Sequence, residues 1–120
     1  ADLKRKALYM FEPDLVEGTE VQLMIRSPNL DYIAPRIEKM FTNLQGRKPV
    51  FALYINCAGR AAAYSGQERE DAEIVQQTVA NRAPLLGFYS GVEIGLVMGK
   101  PMPLDWTGVF CLFSVEQLSE

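Results

Sequence analysis

Glycine recurs every fourth residue in an apolar stretch of the chain, at Gly87, Gly91, Gly95 and Gly99. A glycine inside a regular element costs about 0.5–1 kcal/mol relative to alanine. Four of them together cost about 2–4 kcal/mol, a large share of the roughly 5–15 kcal/mol that stabilises a small domain. We therefore expect the stretch to need its glycines for a close approach, a turn or a binding site.

If the stretch is extended, alternate residues share a face. One face is then almost wholly apolar, and the other carries side chains only at Tyr89, Glu93 and Val97. Glycine in a strand often marks the close approach of a ligand or of another backbone. The glycine-lined face therefore predicts the floor of a cavity, with Tyr89 and Glu93 as its polar groups.

Other interpretations of the glycines stay open. A hairpin bent near Gly91 would use them for turns and bulges and would leave Glu93 in solvent. A helix would carry them on one face, as in membrane helix dimers, but the stretch is too short to span a bilayer and contains a carboxylate. The glycine spacing also lacks the GxxxxGK[ST] pattern of a phosphate-binding loop.

The 120-residue chain contains no histidine. This excludes Ser–His and Cys–His nucleophilic pairs, HExxH zinc sites and histidine-ligated haem within the chain. Two cysteines, Cys57 and Cys111, are too few for a disulfide scaffold or a cysteine zinc site, and they indicate a reducing, cytosolic setting. We therefore expect no metal, no cofactor and no catalytic residue.

Charge and hydropathy narrow the class of protein further. The net charge is −3, and lysine and arginine are scattered apart from Leu3–Lys6, so we expect no nucleic-acid partner. No apolar run is long enough to span a membrane, and the start of the chain has no signal-peptide pattern. The 48% hydrophobic content is enough for a single domain with a real core. Because the chain begins without Met and soon reaches a strand-like run, we expect it to be a fragment of a longer protein.

The hydrophobic periodicity alternates between strand and helix patterns. Strands are predicted at Lys6–Pro13, Glu20–Arg26, Pro49–Cys57 and Trp106–Val115, a strand or hairpin at Leu85–Gly99, and helices from near Asn29–Tyr32 to Gly46 and over Gln67–Arg82. The Pro49–Cys57 strand is apolar enough to be central and covered on both faces. Helices join some strands and hairpins join others, which predicts a single α+β domain with a mixed or mostly antiparallel sheet and about two packed helices.

Two further groups of residues are candidates for a site. Cys57 ends the central strand and Arg60 follows closely, so the pair would line a pocket beside the strand end. The alternative is a buried Cys57 with a surface arginine, and a thiol-dependent enzyme would still lack a base. Glu68, Glu70 and Asp71 suit a solvated helix start rather than a metal site.

Three segments in order resemble the FIST C-terminal domain: FALYINCAGR (Phe51–Arg60), PLLGFYSGVEIG (Pro84–Gly95) and LDWTGVFCLF (Leu104–Phe113). The family pattern is an apolar strand ending in Cys with Arg soon after, a helix, a G-[FY]-[YS]-x-x-GEI block and an Asn-Gln-Thr-like start to a final strand. The positions that match are Cys57, Arg60, Gly87, Tyr89, Glu93 and Ile94. The chain departs from the pattern at Val92, where a glycine is usual, and at Trp106, where an asparagine is usual.

The resemblance implies a non-enzymatic sensory domain of a cytoplasmic signal transduction protein, with an N-terminal FIST domain in the same chain and a signalling output domain as partners. It implies a small polar, amino-acid-like ligand, with Glu93 holding an amine or hydroxyl, Arg60 an acid group and Tyr89 a further hydrogen bond. The other predicted ligand-binding residues are Cys57, Gly87, Gly91 and Trp106, the last of which would reshape or close the site. A docking module without a ligand and a thiol-dependent enzyme using Cys57 stay open as alternatives.

Overall fold

The computed structural model describes residues 2–9, 16–22, 29–91 and 93–117. Within them the elements are α1 (Ile33–Thr42), β1 (Lys48–Cys57), a 3-10 turn (Ala58–Arg60), α2 (Ala62–Ser65), α3 (Asp71–Val79), β2 (Leu85–Ser90), β3 (Glu93–Val97), β4 (Lys100–Leu104) and β5 (Gly108–Val115). The fold is α+β, as predicted. It combines a mixed sheet of three strands, a hairpin of two strands, and three helices in the described part of the chain.

The strand β1 lies at the centre of the three-stranded sheet, in the order β2-β1-β5. It pairs in parallel with β2 and antiparallel with β5. The parallel pair needs a crossover, which α2 and α3 supply between β1 and β2. The predicted central strand is therefore confirmed. It has one parallel neighbour and one antiparallel neighbour, which makes the sheet mixed.

The core lies between one face of the sheet and the helices α1 and α3. On β1, Ala52 and Tyr54 point towards the helices and are buried. Helical spacing brings Ile33 and Ile37 of α1 and Val75 and Val79 of α3 onto the same core. These four apolar residues lie in the two segments whose periodicity predicts helices.

The opposite face of the sheet is not covered within the described residues. Pairing places on this open face Phe51, Leu53, Ile55, Leu86, Phe88, Val109, Cys111 and Phe113. Leu86 is 57% exposed and Phe88 is 52% exposed. The prediction that β1 is covered on both faces is therefore wrong here, because every packed helix of the described chain lies on one side.

The glycine-rich stretch is divided between two sheets. Its first part is β2, and its second part, β3, pairs with β4 in the hairpin. A bend at Gly91 separates the parts, so alternation does not carry one face from Tyr89 to Glu93. The glycines accordingly serve different purposes: Met98 and Gly99, at φ 51° and 80°, form a two-residue turn of the kind that suits a hairpin. Val92 lies outside the described residues.

The predicted first helix is confirmed, with a shorter span. It runs over Ile33–Thr42, and Pro35 stands in its first turn, where a missing N–H leaves no hydrogen bond unmade. It ends ahead of Gly46, whose φ is +89°. No helix in the described ranges is long and apolar enough to cross a membrane.

The predicted N-terminal strands are not found where the structure describes them. Residues 2–9 form a turn closed by a single bridge between Asp2 and Ala7, so Lys6 begins no strand. Residues 20–22 have no regular structure. The remaining parts of these two predictions, residues 10–13 and 23–26, lie outside the described residues.

We expect Gly46→Ala to lower the free energy of unfolding by about 1 kcal/mol, because alanine is strained at φ +89°. No atom lies within 4 Å of the added methyl group, so the whole effect comes from the backbone. Gly91→Ala is the matched control, since Gly91 is equally open but lacks a positive φ. Urea unfolding measures both variants, and equal stability of the two would contradict the prediction.

Candidate functional site

A cavity of about 280 Å³ lies between α3 and the strands β1 and β2. Its lining residues are Tyr54, Asn56, Ala72, Gln76, Leu85, Gly87, Phe88 and Tyr89. The volume is just below the range of about 300–1,000 Å³ for small-molecule sites. The cavity therefore suits a small ligand.

Small residues keep this cavity open. Gly87 pairs with Tyr54 across the parallel ladder, and a Cβ atom at Gly87 would lie 3.0 Å from the backbone oxygen of Tyr54. That contact is tight enough to strain any larger residue. On the helix side, Ala72 extends only a methyl group towards the sheet. The glycine that the sequence singled out therefore permits close packing of β2 on β1 beside the cavity.

Beside the cavity lies a buried ion pair between Arg60 and Asp71. A guanidinium nitrogen of Arg60 is 2.5 Å from Asp71 Oδ2, and the two side chains are 9% and 0% exposed. The other donors of Arg60 reach the Tyr32 hydroxyl at 2.6 Å and the backbone oxygen of Trp106 at 3.0 Å. Burial opposes the charge, but the hydrogen bonds to Tyr32 and Asp71 raise the pKa of Arg60 above its ordinary value.

Local sequence explains how this pair forms. Arg60 ends the 3-10 turn that follows β1, so its side chain starts at the end of the central strand. Asp71 is the first residue of α3, where a negative charge is favourable at the helix N-terminus. The prediction of a solvated helix start is wrong for Asp71, which is fully buried.

Asn56 joins the ion pair to the cavity. Its Nδ2 donates to Asp71 Oδ2 at 3.4 Å, which fixes the amide, because a flipped amide would set two oxygens against each other. Asn56 Oδ1 and Asp71 Oδ1 are buried and have no hydrogen-bond partner within the described chain. A Cβ at Gly108 would lie 3.2 Å from Asn56 Oδ1, so this glycine leaves space at the free oxygen.

Tyr89 closes the other side of the cavity. Its hydroxyl donates to Glu70 Oε2 at 2.5 Å, and Glu70 Oε1 accepts the backbone N–H of Ala62 at 2.9 Å. Burial and the hydrogen bond to Glu70 raise the pKa of Tyr89 to about 12. The phenol is therefore neutral near pH 7, and its proton is held by Glu70.

The structure brings only some of the predicted ligand-binding residues together. Gly87 and Tyr89 line the cavity, and Arg60 lines a smaller cavity of about 90 Å³ with Tyr32 and Gly108. Glu93 begins β3 in the hairpin and is not among the residues around either cavity. It is buried, and its Oε1 has no hydrogen-bond partner in the described part of the chain.

The remaining predicted residues lie near the ends of β1 and β2. Cys57 is buried, and its sulfur lies beside Gly59. The ring of Trp106 packs over the same glycine, while its backbone oxygen holds Arg60. Gly91 occupies the bend after β2, where a Cβ atom would meet no other atom. None of these residues lines the larger cavity.

Sequence reasoning missed Asn56 as a site residue. The only available signal was a polar residue at a position that alternates with Ala52 and Tyr54, and so faces the helices. No group of three or more potential metal ligands occurs within the described ranges.

In comparison with known proteins, the model of the FIST C domain family matches residues 1–96, which include α1, β1, α3 and β2. No curated protein and no solved structure matches the chain.

We expect the stability of the protein to fall between about pH 10 and pH 12 in a way that depends on Tyr89. Its folded-state pKa is above the ordinary value of 10.0, so the native protein holds the phenol proton more tightly than the unfolded chain does. This contribution is present below the ordinary pKa and is lost as the pH rises to about 12. Urea midpoints of the wild type should fall more steeply over this range than those of Tyr89→Phe, and equal slopes would refute the assignment.

Proposed function

Because the chain belongs to the FIST C domain family, whose members are sensory domains of signal transduction proteins, we propose that it detects a small polar ligand in the cavity between α3 and the strands β1 and β2. The family is generally non-catalytic, so we propose a binding site rather than an active site. One observation carries the proposal: two polar side chains, Asn56 and Tyr89, line a cavity whose remaining walls are mostly apolar, which is the combination typical of small-molecule sites.

The residues around the cavity provide both shape and polarity. Ala72 and Leu85 form apolar walls, and Asn56 and Tyr89 provide the hydrogen-bonding groups. An amino-acid-like ligand, which the family resemblance implies, carries both donors and acceptors for these two groups. We therefore assign the direct ligand contacts to Asn56 and Tyr89.

We assign different roles to Arg60 and Glu93 in this proposal. The donors of Arg60 are engaged by Asp71, Tyr32 and the backbone of Trp106, so we assign it the role of positioning Asp71 and Asn56. Glu93 remains a predicted contact from the family resemblance. Its burial and its free oxygen are the observations that favour testing it.

A ligand in this cavity touches both α3 and β2, and Glu70, which precedes α3, already holds Tyr89 of β2. Binding therefore favours the arrangement in which helix and strand are close. A ligand shifts an equilibrium only by its difference in affinity for the two states. We propose that the arrangement favoured by the ligand is what an output domain of the signalling protein recognises.

The test is a thermal-shift panel of amino acids, amines, carboxylates and polyols on the protein and on Ala72→Leu. A ligand at about 100 times its Kd stabilises the folded state by about 2.7 kcal/mol, which raises the Tm by several degrees. Ala72→Leu fills the cavity and should abolish the rise, whereas Ala63→Leu, on the exposed side of α2, should keep it.

The same assay decides the role of Glu93, because Glu93→Ala removes the rise only if its carboxylate contacts the ligand. A panel without any stabilising compound would overturn the proposed function. A rise that persists unchanged in Ala72→Leu would move the ligand out of this cavity.

The open face of the sheet favours a second candidate function, docking of another domain. Leu86, Phe88 and Phe113 are about half exposed on this face, and contiguous apolar surface of this kind marks interaction sites. A sheet with an apolar face is normally covered by a second layer. We propose that the N-terminal FIST domain implied by the family resemblance forms that layer.

Leu86→Asp should weaken binding of a separately expressed N-terminal FIST domain by at least about tenfold, because it places a charge in an apolar contact. Leu86 is on the open face and does not line the ligand cavity. Tyr64→Asp is the control, since Tyr64 is 77% exposed on α2 and is not one of the open-face residues. Titration calorimetry measures both, and unchanged binding in Leu86→Asp would show that the open face is not the docking surface.

A further inference from the structure

We infer that the smaller cavity, between α1 and the strands β1 and β5, is a separate site for a small carboxylate ion of the size of acetate. This cavity shares only Tyr54 with the larger one, so the inference goes beyond the proposed function. It follows from the hydrogen-bond donors around the smaller cavity, from the charge of its lining and from its volume.

The Tyr54 hydroxyl is a donor without a partner at this cavity. Tyr54 is 7% exposed, and its hydroxyl makes no hydrogen bond within the described residues. A Cβ atom at Gly108 would lie 2.8 Å from the hydroxyl oxygen, and Gly108 lines the smaller cavity but not the larger one. Burial and the charge of Asp71 raise the pKa of Tyr54 above its ordinary value, so the hydroxyl keeps its proton. Buried donors are normally hydrogen-bonded, so this one favours a ligand with an acceptor.

Arg60 and Tyr32 add donors on the other side of the cavity. Nε and Nη2 of Arg60 serve Asp71 and Tyr32, and Nη1 donates once, to the backbone oxygen of Trp106. A second N–H of Nη1 is therefore left over. The Tyr32 hydroxyl accepts from Arg60, so its own proton is available for donation. Both side chains line the cavity, which is therefore rich in donors.

Arg36 places a positive charge at the same cavity. It is exposed in the first turn of α1, and its guanidinium carbon lies 5.1 Å from the centroid of the Tyr32 ring. Arg36 has no ion pair within the described residues. The neighbouring carboxylates along the chain, Asp31 and Glu38, do not line this cavity, and Glu38 pairs with Arg82. The first turn of α1 contains no acidic residue, so the helix dipole also favours an anion here.

Charge and size together define the ligand. The charge of Arg60 is balanced by Asp71, so Arg36 leaves the lining with one uncompensated positive charge, which suits a monovalent anion. The volume of about 90 Å³ equals that of about three water molecules at about 30 Å³ each. A carboxylate accepts hydrogen bonds from guanidinium and hydroxyl groups through two oxygens. The methyl group of acetate suits the apolar part of the lining, which includes Ile37 and Phe110.

An NMR titration of the ¹⁵N-labelled protein with acetate and with acetamide, at constant ionic strength, tests this inference. The two compounds have nearly the same shape and differ in charge. We expect acetate to shift the Gly108 amide resonance in a saturable way. Acetamide should bind at least about tenfold more weakly, since hydrogen bonds to an ionised acceptor are stronger.

Matched variants locate the charge. Arg36→Gln should weaken acetate binding by at least about tenfold, because it removes the uncompensated charge from the lining. Lys39→Gln is the control, since it removes the same charge from an exposed position of α1 outside the lining. Equal losses in the two variants would overturn the role of Arg36.

Tyr54→Phe tests the hydroxyl and separates binding from folding. It should also weaken acetate binding by about tenfold, because it removes a donor at Gly108. The urea midpoint should stay at the wild-type value, since the hydroxyl has no partner to lose within the described residues. Unchanged acetate affinity, or a midpoint that falls, would show that the hydroxyl has a structural role instead.

The outcomes separate this inference from the proposed function. Ala72 lines only the larger cavity, so Ala72→Leu should leave acetate binding unchanged. Loss of acetate binding in Ala72→Leu would place the carboxylate in the larger cavity and overturn this inference while the proposed function stands. Acetamide binding as tightly as acetate, or no saturable shift at Gly108, would also overturn it. Failure of the thermal-shift panel at the larger cavity would leave a saturable acetate shift at Gly108 unaffected.

Discussion

The buried ion pair between Arg60 and Asp71 is the contact on which the rest of the structure depends. It joins the end of β1 to the start of α3, and through Arg60 it also reaches Tyr32 ahead of α1 and the backbone at Trp106 ahead of β5. Four parts of the chain that are distant in sequence therefore meet at one guanidinium. Removing one partner of such a pair leaves an uncompensated buried charge, which costs about 3–5 kcal/mol.

The same pair determines the chemistry of the cavity. By holding Asp71 Oδ2 it places the oxygen to which Asn56 donates, and it engages Arg60 with Asp71, Tyr32 and the backbone oxygen of Trp106. On the other side of the cavity, Glu70 orients the Tyr89 hydroxyl. A buried acceptor without a partner is costly, and Asn56 Oδ1 and Asp71 Oδ1 are two such acceptors in the described part of the chain.

Hydrophobic periodicity predicted the helices and strands correctly where local sequence and tertiary contacts agree. The apolar run of β1 and the helical periodicity ahead of Gly46 predicted a central strand and a packed helix, and both are present. The arrangement of the glycine-rich stretch was not predicted from alternation. Alternation assigns faces within a single strand, whereas this stretch passes from one sheet to another at Gly91. Gly87 lines the cavity, but Glu93, which the pattern placed on the same face, lies in the hairpin.

The sequence by itself determined the α+β class, the order of the main elements, the family and the absence of histidine chemistry, because these depend on composition and on short-range patterns. Only the tertiary structure decided which polar groups are free. Arg60 and Asn56 are separated along the chain from Asp71, and whether a donor is available depends on the partner that folding brings to it. Hydrogen bonds between distant residues leave no periodic signal in a sequence, so the cavity and the buried ion pair beside it became visible only in three dimensions.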